Sequence, residues 1–189
     1  MLARVDAITA DIGEIDARIE ELIAPFGEAV DRLDQTPGVG RTAAAVIIAE
    51  IGVDMTRFLT PSHLTSWARF APGVKESAGR KKGNASTGHG NPHLARVLGE
   101  AAVAASKTDT FLGQRYRRIA RRRGKKKAIV AVGRSILTIV WQLLSEPDTH
   151  FHDLGPGFYD QRISASRQTR NHVAQLEALG YKVTLEAAA

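Results

Sequence analysis

A serine in a run of cations is the first chemistry this sequence offers. Ser77 lies in Glu76-Ser77-Ala78-Gly79-Arg80-Lys81-Lys82, inside the polar, glycine-rich stretch VKESAGRKKGNASTGHGNPHL. A serine that attacks a phosphodiester needs exposure, a route for its proton, and positive charge where the phosphorane gathers negative charge. Arg80 and Lys82, with Lys81 between them, could supply that charge, Arg80 through the two-pronged grip a guanidinium makes on phosphate oxygens. Ser86 and Thr87 share the stretch and are rival nucleophiles by the same argument. Spacing alone does not choose among them, and a serine is also an ordinary loop residue.

The densest charge lies further on. Residues 115–127, RYRRIARRRGKKK, hold nine Lys or Arg and no acid, so the rest of the chain carries 17 basic against 20 acidic residues. The protein is therefore basic in one place, which suits a polyanion because each neutralised phosphate releases a condensed counterion. Arg117, Arg118, Arg121, Arg122, Arg123, Lys125, Lys126 and Lys127 are the candidate phosphate contacts, and the alternative is a solvated charged face. A second phosphate site is read in LDQTPGVGRTAAAVIIAEIG, residues 33–52, whose glycine-rich turn and following helix have the shape of the second half of a helix-hairpin-helix. Backbone N–H groups at Gly38 and Gly40, the positive end of the helix and Arg41 would hold one phosphate without reading its base. The alternative is a plain helix start with Pro37 and two permissive glycines.

Other chemistries are excluded or weak. The chain has no cysteine, so it can form neither a disulfide nor a thiolate metal site, and a reducing cytoplasm is its natural setting. His89 and His93 straddle a helix start, and His150, His152 and Asp153 lack a clear third and fourth ligand, so no metal is assigned. Gly124-Lys125 is no P-loop, because Lys126 stands where Ser or Thr is needed.

The elements that must position these residues are helical. Val5, Ile8, Ile12, Ile15, Ile19, Leu22 and Phe26 alternate three and four apart, as a coiled-coil seam requires, with an acidic outer face between them. This predicts self-association; the alternative is an amphipathic helix packed on its own domain. Pro25 should end the regular seam. A short helix is expected over 62–70, then a long loop, then a helix capped by Asn91 with Leu94, Val97, Leu98, Ala101 and Ala105 as its apolar face. Tyr116 and Ile119 dock the basic helix with its guanidinium groups facing out, and Gly124 breaks it. Residues 128–144 read as a core helix, since Arg134 and Gln142 argue against a membrane span, and Pro147 ends it. The tail carries a short helix stopped by Gly180 and a candidate strand, YKVTL. The expected fold is mainly α, with a coil at 1–32, a domain at 33–147 and a tail at 148–189.

The order of segments is more specific than any one of them. TPGVGRTAAAVIIAEIG, RFLTPSHLTSWARFAPG, ESAGRKKGNASTGHGNPHLARVLGEAA and YRRIARRRGKKKAIVAVGRSIL follow one another as in the carboxy-terminal domain of transposases of the insertion-sequence 110/116/902 family, which residues 33–144 resemble. The resemblance implies a cytoplasmic bacterial recombinase associated with the nucleoid, with DNA and a guide (bridge) RNA as partners and no membrane. It makes Ser77 the nucleophile that joins covalently to DNA. It assigns magnesium and four acidic residues to an amino-terminal RuvC-like domain outside these residues, so the chain alone should not transpose. The other reading is a non-catalytic, oligomerising, nucleic-acid-binding fragment of a transposase. Two departures stand out: Arg69 and Phe70 occupy positions expected to be Gly and Leu, and Ser86-Thr87-Gly88-His89 replaces a more basic stretch.

Overall fold

Three of the helices start at a short polar side chain that takes up free N–H groups of the first turn. The Asn91 side chain accepts from the N–H groups of His93 and Leu94 at 2.9 and 3.0 Å. Thr60 accepts from His63 N–H at 3.2 Å, and Thr110 from Gly113 N–H at 3.2 Å. Asp54 opens a single 3-10 turn in the same way, and the hydroxyl and N–H of Thr56 hold its carboxyl below its ordinary pKa.

The computed structural model describes residues 1–73, 76–77, 80–81, 87–161 and 165–185, with the backbone alone at 76–77, 80–81, 160 and 165–168. Its helices are α1 (Leu2–Ile23), α2 (Gly27–Asp34), α3 (Arg41–Ile51), α4 (Pro61–Trp67), α5 (Pro92–Ala105), α6 (Phe111–Arg123), α7 (Lys125–Ser145), α8 (Phe158–Gln161) and α9 (Ala165–Ala178). The expected mainly α fold is present. Among the described residues the only strands are β1 (Glu76–Ser77) and β2 (Arg80–Lys81), paired antiparallel. YKVTL therefore forms no strand, since the two-residue ribbon is all it could pair with among those residues. Instead Gly180, at φ 90°, closes α9 as a Schellman cap in which Tyr181 N–H reaches the Leu176 carbonyl at 3.1 Å.

The core is organised by α7. Its buried face runs through Ala128, Val132, Ile136, Leu137, Val140, Leu143 and Leu144, and α2, α4, α5 and α6 all pack on it. By length and composition α7 could cross a membrane, but these residues make it the centre of a helical core, as its sequence predicts. Leu94, Val97, Leu98, Ala101 and Ala105 of α5 are buried as expected. The core also reaches back to Ala29 and Val30 in α2, ahead of the boundary read at residue 33. Trp141 fastens the outer side of α7 by donating from Nε1 to the Phe58 carbonyl at 2.7 Å.

Helix α1 behaves differently. Pro25 ends it in a 3-10 turn (Ala24–Phe26), and α1 has no buried residue. Its seam residues from Val5 to Leu22 are between 48 and 59 % exposed. Among the described residues, then, only Ile23 at the end of this helix packs against the core, and the seam is left uncovered.

The turn between α2 and α3 is seated on α5. Gly38 has φ 89°, and a Cβ there would lie 2.2 Å from the Ala101 carbonyl oxygen and 2.8 Å from the Ala105 nitrogen. Both the backbone conformation and the space demand glycine. Gly38→Ala should destabilise the chain by about 2–4 kcal/mol, read as a shifted urea midpoint at unchanged m-value, because strain and overpacking add. A Cβ at Gly40 would meet nothing within 4 Å, and the backbone there has an ordinary φ of −84°, so Gly40→Ala should leave the midpoint nearly in place.

Candidate nucleic-acid interface and serine loop

Helices α6 and α7 pack together and are joined by Gly124 alone, whose φ of 87° makes the sharp reversal. Arg121, Arg122 and Arg123 fill the last turn of α6, and Lys125, Lys126 and Lys127 the first turn of α7. All six are exposed, and among the described residues none is in an ion pair. The arginines suit the negative end of α6, but three lysines at the positive end of α7, with no acid in that turn, oppose its dipole. The fold thus holds a positive apex at some cost to its own stability, which a solvated face chosen for stability would avoid.

The other three cations of the run are used internally. Arg117 donates to the carbonyls of Ser106 and Thr108 at 3.1 and 3.0 Å and pairs with Asp109 at 3.2 Å, which caps the end of α5. Arg115 donates to the Tyr159 hydroxyl at 2.9 Å, and Arg118 lies over the Tyr159 ring, 4.6 Å from its centroid. Tyr159 in turn stacks on Phe111 at 5.4 Å. The expectation of outward guanidinium groups therefore holds for Arg121, Arg122 and Arg123 and fails for Arg117, whose sequence position gave no hint of the carbonyls it would meet.

The serine loop is fixed at its ends. Phe70 inserts its ring where α7 has Gly133, since a Cβ at Gly133 would lie 2.5 Å from Phe70 Cε1. Gly90 comes back to the same place, because its Cβ would meet the Ala68 carbonyl and Arg69 Cγ at 3.1 Å. Asn91 donates from its side-chain amide to Glu50, tying the returning chain to α3. The chain thus leaves the core at Phe70 and returns to it at Gly90, beside Ala68 and Arg69. Within it Ser77 and Arg80 are directly opposed Cα partners, as are Glu76 and Lys81. Lys82 and Ser86 lie outside the described residues; Thr87 is half-buried, and His89 and His93 are exposed. Arg69 has φ 61°, the left-handed region, which explains physically why a glycine is expected there.

The turn read as a phosphate site is divided between two uses. Gly38 faces α5, while Gly40 is exposed at the N-cap of α3. Arg41 pairs with Asp31 of α2, both side chains being exposed, so this bond is weak and exchangeable. His150 and Asp153 are also occupied: the His150 ring approaches the Gln35 amide at 3.4 Å, and Asp153 accepts from Phe111 N–H at 3.1 Å. Among the described residues no three His, Asp or Glu side chains converge as a metal site would require.

Comparison with known proteins bears on this arrangement. The family model described as "Transposase IS116/IS110/IS902 family" matches residues 30–117. The "Insertion element IS110 uncharacterized 43.6 kDa protein" of Streptomyces coelicolor is 31% identical over 135 residues, which cover 70% of this chain. The aligned part spans 31% of that relative's length.

Two outcomes follow from the geometry. Arg69→Gly removes a left-handed non-glycine residue and should raise stability by up to about 1 kcal/mol, seen as a rise of several degrees in Tm. Replacing Arg121, Arg122 and Arg123 together by Ala should weaken binding to any nucleic acid and flatten the slope of log K against log salt by up to about three, near one per lost phosphate contact. An unchanged slope in the same titration would mean that the apex touches no phosphate.

Proposed function

Because the chain belongs to the IS116/IS110/IS902 transposase family, we propose that it supplies the nucleic-acid grip and the serine nucleophile for DNA strand exchange guided by an RNA. The observation that carries this reading is the apex of six exposed cations, none in an ion pair among the described residues, of which the three lysines stand against the dipole of α7. It serves as a phosphate clamp for DNA or guide RNA and carries little base specificity. The Gly40 N–H and Arg41, once released from Asp31, add a second phosphate contact at the start of α3.

Ser77 is the residue that joins to DNA. The Lys125 turn and the Gly133 notch that anchors the serine loop lie on one helix, separated by about 12 Å along its axis. That is roughly the rise of three to four nucleotides along one strand, so phosphates held at the apex lead toward the loop. The Ser77 oxygen attacks phosphorus as a DNA oxygen departs, and Arg80, its partner across the ribbon, meets the charge that builds on the phosphate. The reading takes the magnesium of the family reaction, with its charge stabilisation, from a RuvC-like part outside these residues. The exposed seam of α1 brings two copies together, as paired DNA ends demand.

A second reading keeps the clamp and the seam but gives Ser77 no chemistry. The two part in one assay: the chain is mixed with a RuvC-like domain of the family, guide RNA, magnesium and labelled DNA, and run on a denaturing gel. Ser77→Ala should abolish the covalent adduct while leaving folding and affinity nearly unchanged, within about 0.5 kcal/mol, and Ser86→Ala should keep the adduct. Loss with Ser86→Ala and survival with Ser77→Ala would move the nucleophile; no adduct from the unmodified chain favours the binding-only reading.

A further inference from the structure

The apolar face of α1 that none of the described residues covers has a pattern that fits a second copy of the same helix. Its seam of Val5, Ile8, Ile12, Ile15, Ile19 and Leu22 is exposed along the whole helix, about 33 Å of it, while Ile23 at its end packs on the core. A second copy of the same helix offers the matching stripe, and the residues flanking the stripe decide its direction.

If two copies run parallel, each residue just before a first seam position faces the partner's residue five places on. Asp11 then faces the partner's Asp16, and twofold symmetry repeats the clash. Arg4 and Arg18 gain nothing in return, because they meet the partner's Thr9 and the partner's Ile23. If the copies run antiparallel, one register pairs every seam residue: Ile12 with the partner's Ile15, Ile8 with the partner's Ile19, Val5 with the partner's Leu22. In that register Asp11 lies beside the partner's Arg18, twice by symmetry, and Asp16 meets only the partner's Thr9. Arg18 is free to turn to this new partner, because its present bond to Glu21 joins two side chains more than 60 % exposed.

We infer that α1 pairs with α1 of a second copy as an antiparallel two-helix coil in this register, with Asp11 and the partner's Arg18 setting the direction. The inference deepens the self-association reading of α1 and rests on it. It has a consequence for assembly: an antiparallel pair 22 residues long sends the two helical domains to opposite ends of the coil, whereas a parallel pair would place them side by side.

Charge exchange tests direction separately from association. In sedimentation equilibrium at low salt, Asp11→Lys should weaken the dimer about tenfold, since two attractions become two repulsions of a few tenths of a kcal/mol each. The double change Asp11→Lys with Arg18→Glu should restore the affinity to within about twofold. These exposed positions bury nothing in the helical domain, so its fold is not at stake. A dimer that tightens with Asp11→Lys has lost the parallel Asp11–Asp16 clash, which overturns the direction and leaves self-association standing. A trimer, which isoleucine at both seam positions would favour in a parallel coil, overturns it as well. An unmodified chain that stays monomeric at about 50 μM, the range of a weak complex, overturns self-association and the proposal together.

Discussion

Helix α7 is buried along Val132, Ile136, Leu137, Val140 and Leu143, and the rest of the domain is arranged around that contact. Truncating a side chain in such a core costs about 2–5 kcal/mol, a large part of a small domain's stability. Two features bearing on function are attached to the same helix. Its first turn carries the lysines of the basic apex, and its Gly133 receives the Phe70 ring that anchors one end of the serine loop. A shift of α7 in its groove would therefore move the apex and the loop anchor together, so one rigid helix keeps them at a fixed separation.

Charge is divided with the same economy. Nine cations are crowded into thirteen residues, yet three of them are engaged within the fold: Arg117 by carbonyls at the end of α5, Arg115 by the Tyr159 hydroxyl, and Arg118, itself exposed, by the Tyr159 ring. The Tyr159 contacts reach α6 from the tail, so the tail helps set how much of the basic run faces solvent. The remaining six crowd around Gly124, where neither the last turn of α6 nor the first turn of α7 carries an acid. Acidic residues gather instead on α1, whose uncovered seam is a separate surface from the apex.

Some of the departures from the family pattern are explained by their neighbours. Arg69 keeps the left-handed turn that a glycine would take without strain, with Gly90 returning beside it, and the Phe70 ring fits because α7 has glycine at position 133.

The sequence by itself determined the helices, because local signals suffice for them: Asn91 and Pro92 start α5, Gly124 breaks α6 from α7, Pro25 ends α1, and the apolar spacing marks each buried face. It determined as well that charge would be concentrated, and the family pattern singled out Ser77. Only the tertiary structure decided which cations remain available, because Arg117 is claimed by carbonyls of the segment just before its own helix and Arg118 by a ring 41 residues away. The fate of Gly38 was hidden for the same reason: its turn chemistry is local, but the α5 backbone that fills the space beside it is distant in sequence. The packing of α1 was undecided in the sequence, since an amphipathic stripe looks the same whether its own domain or another chain covers it; the fold left it open because α7 already buries its face against α2, α4, α5 and α6.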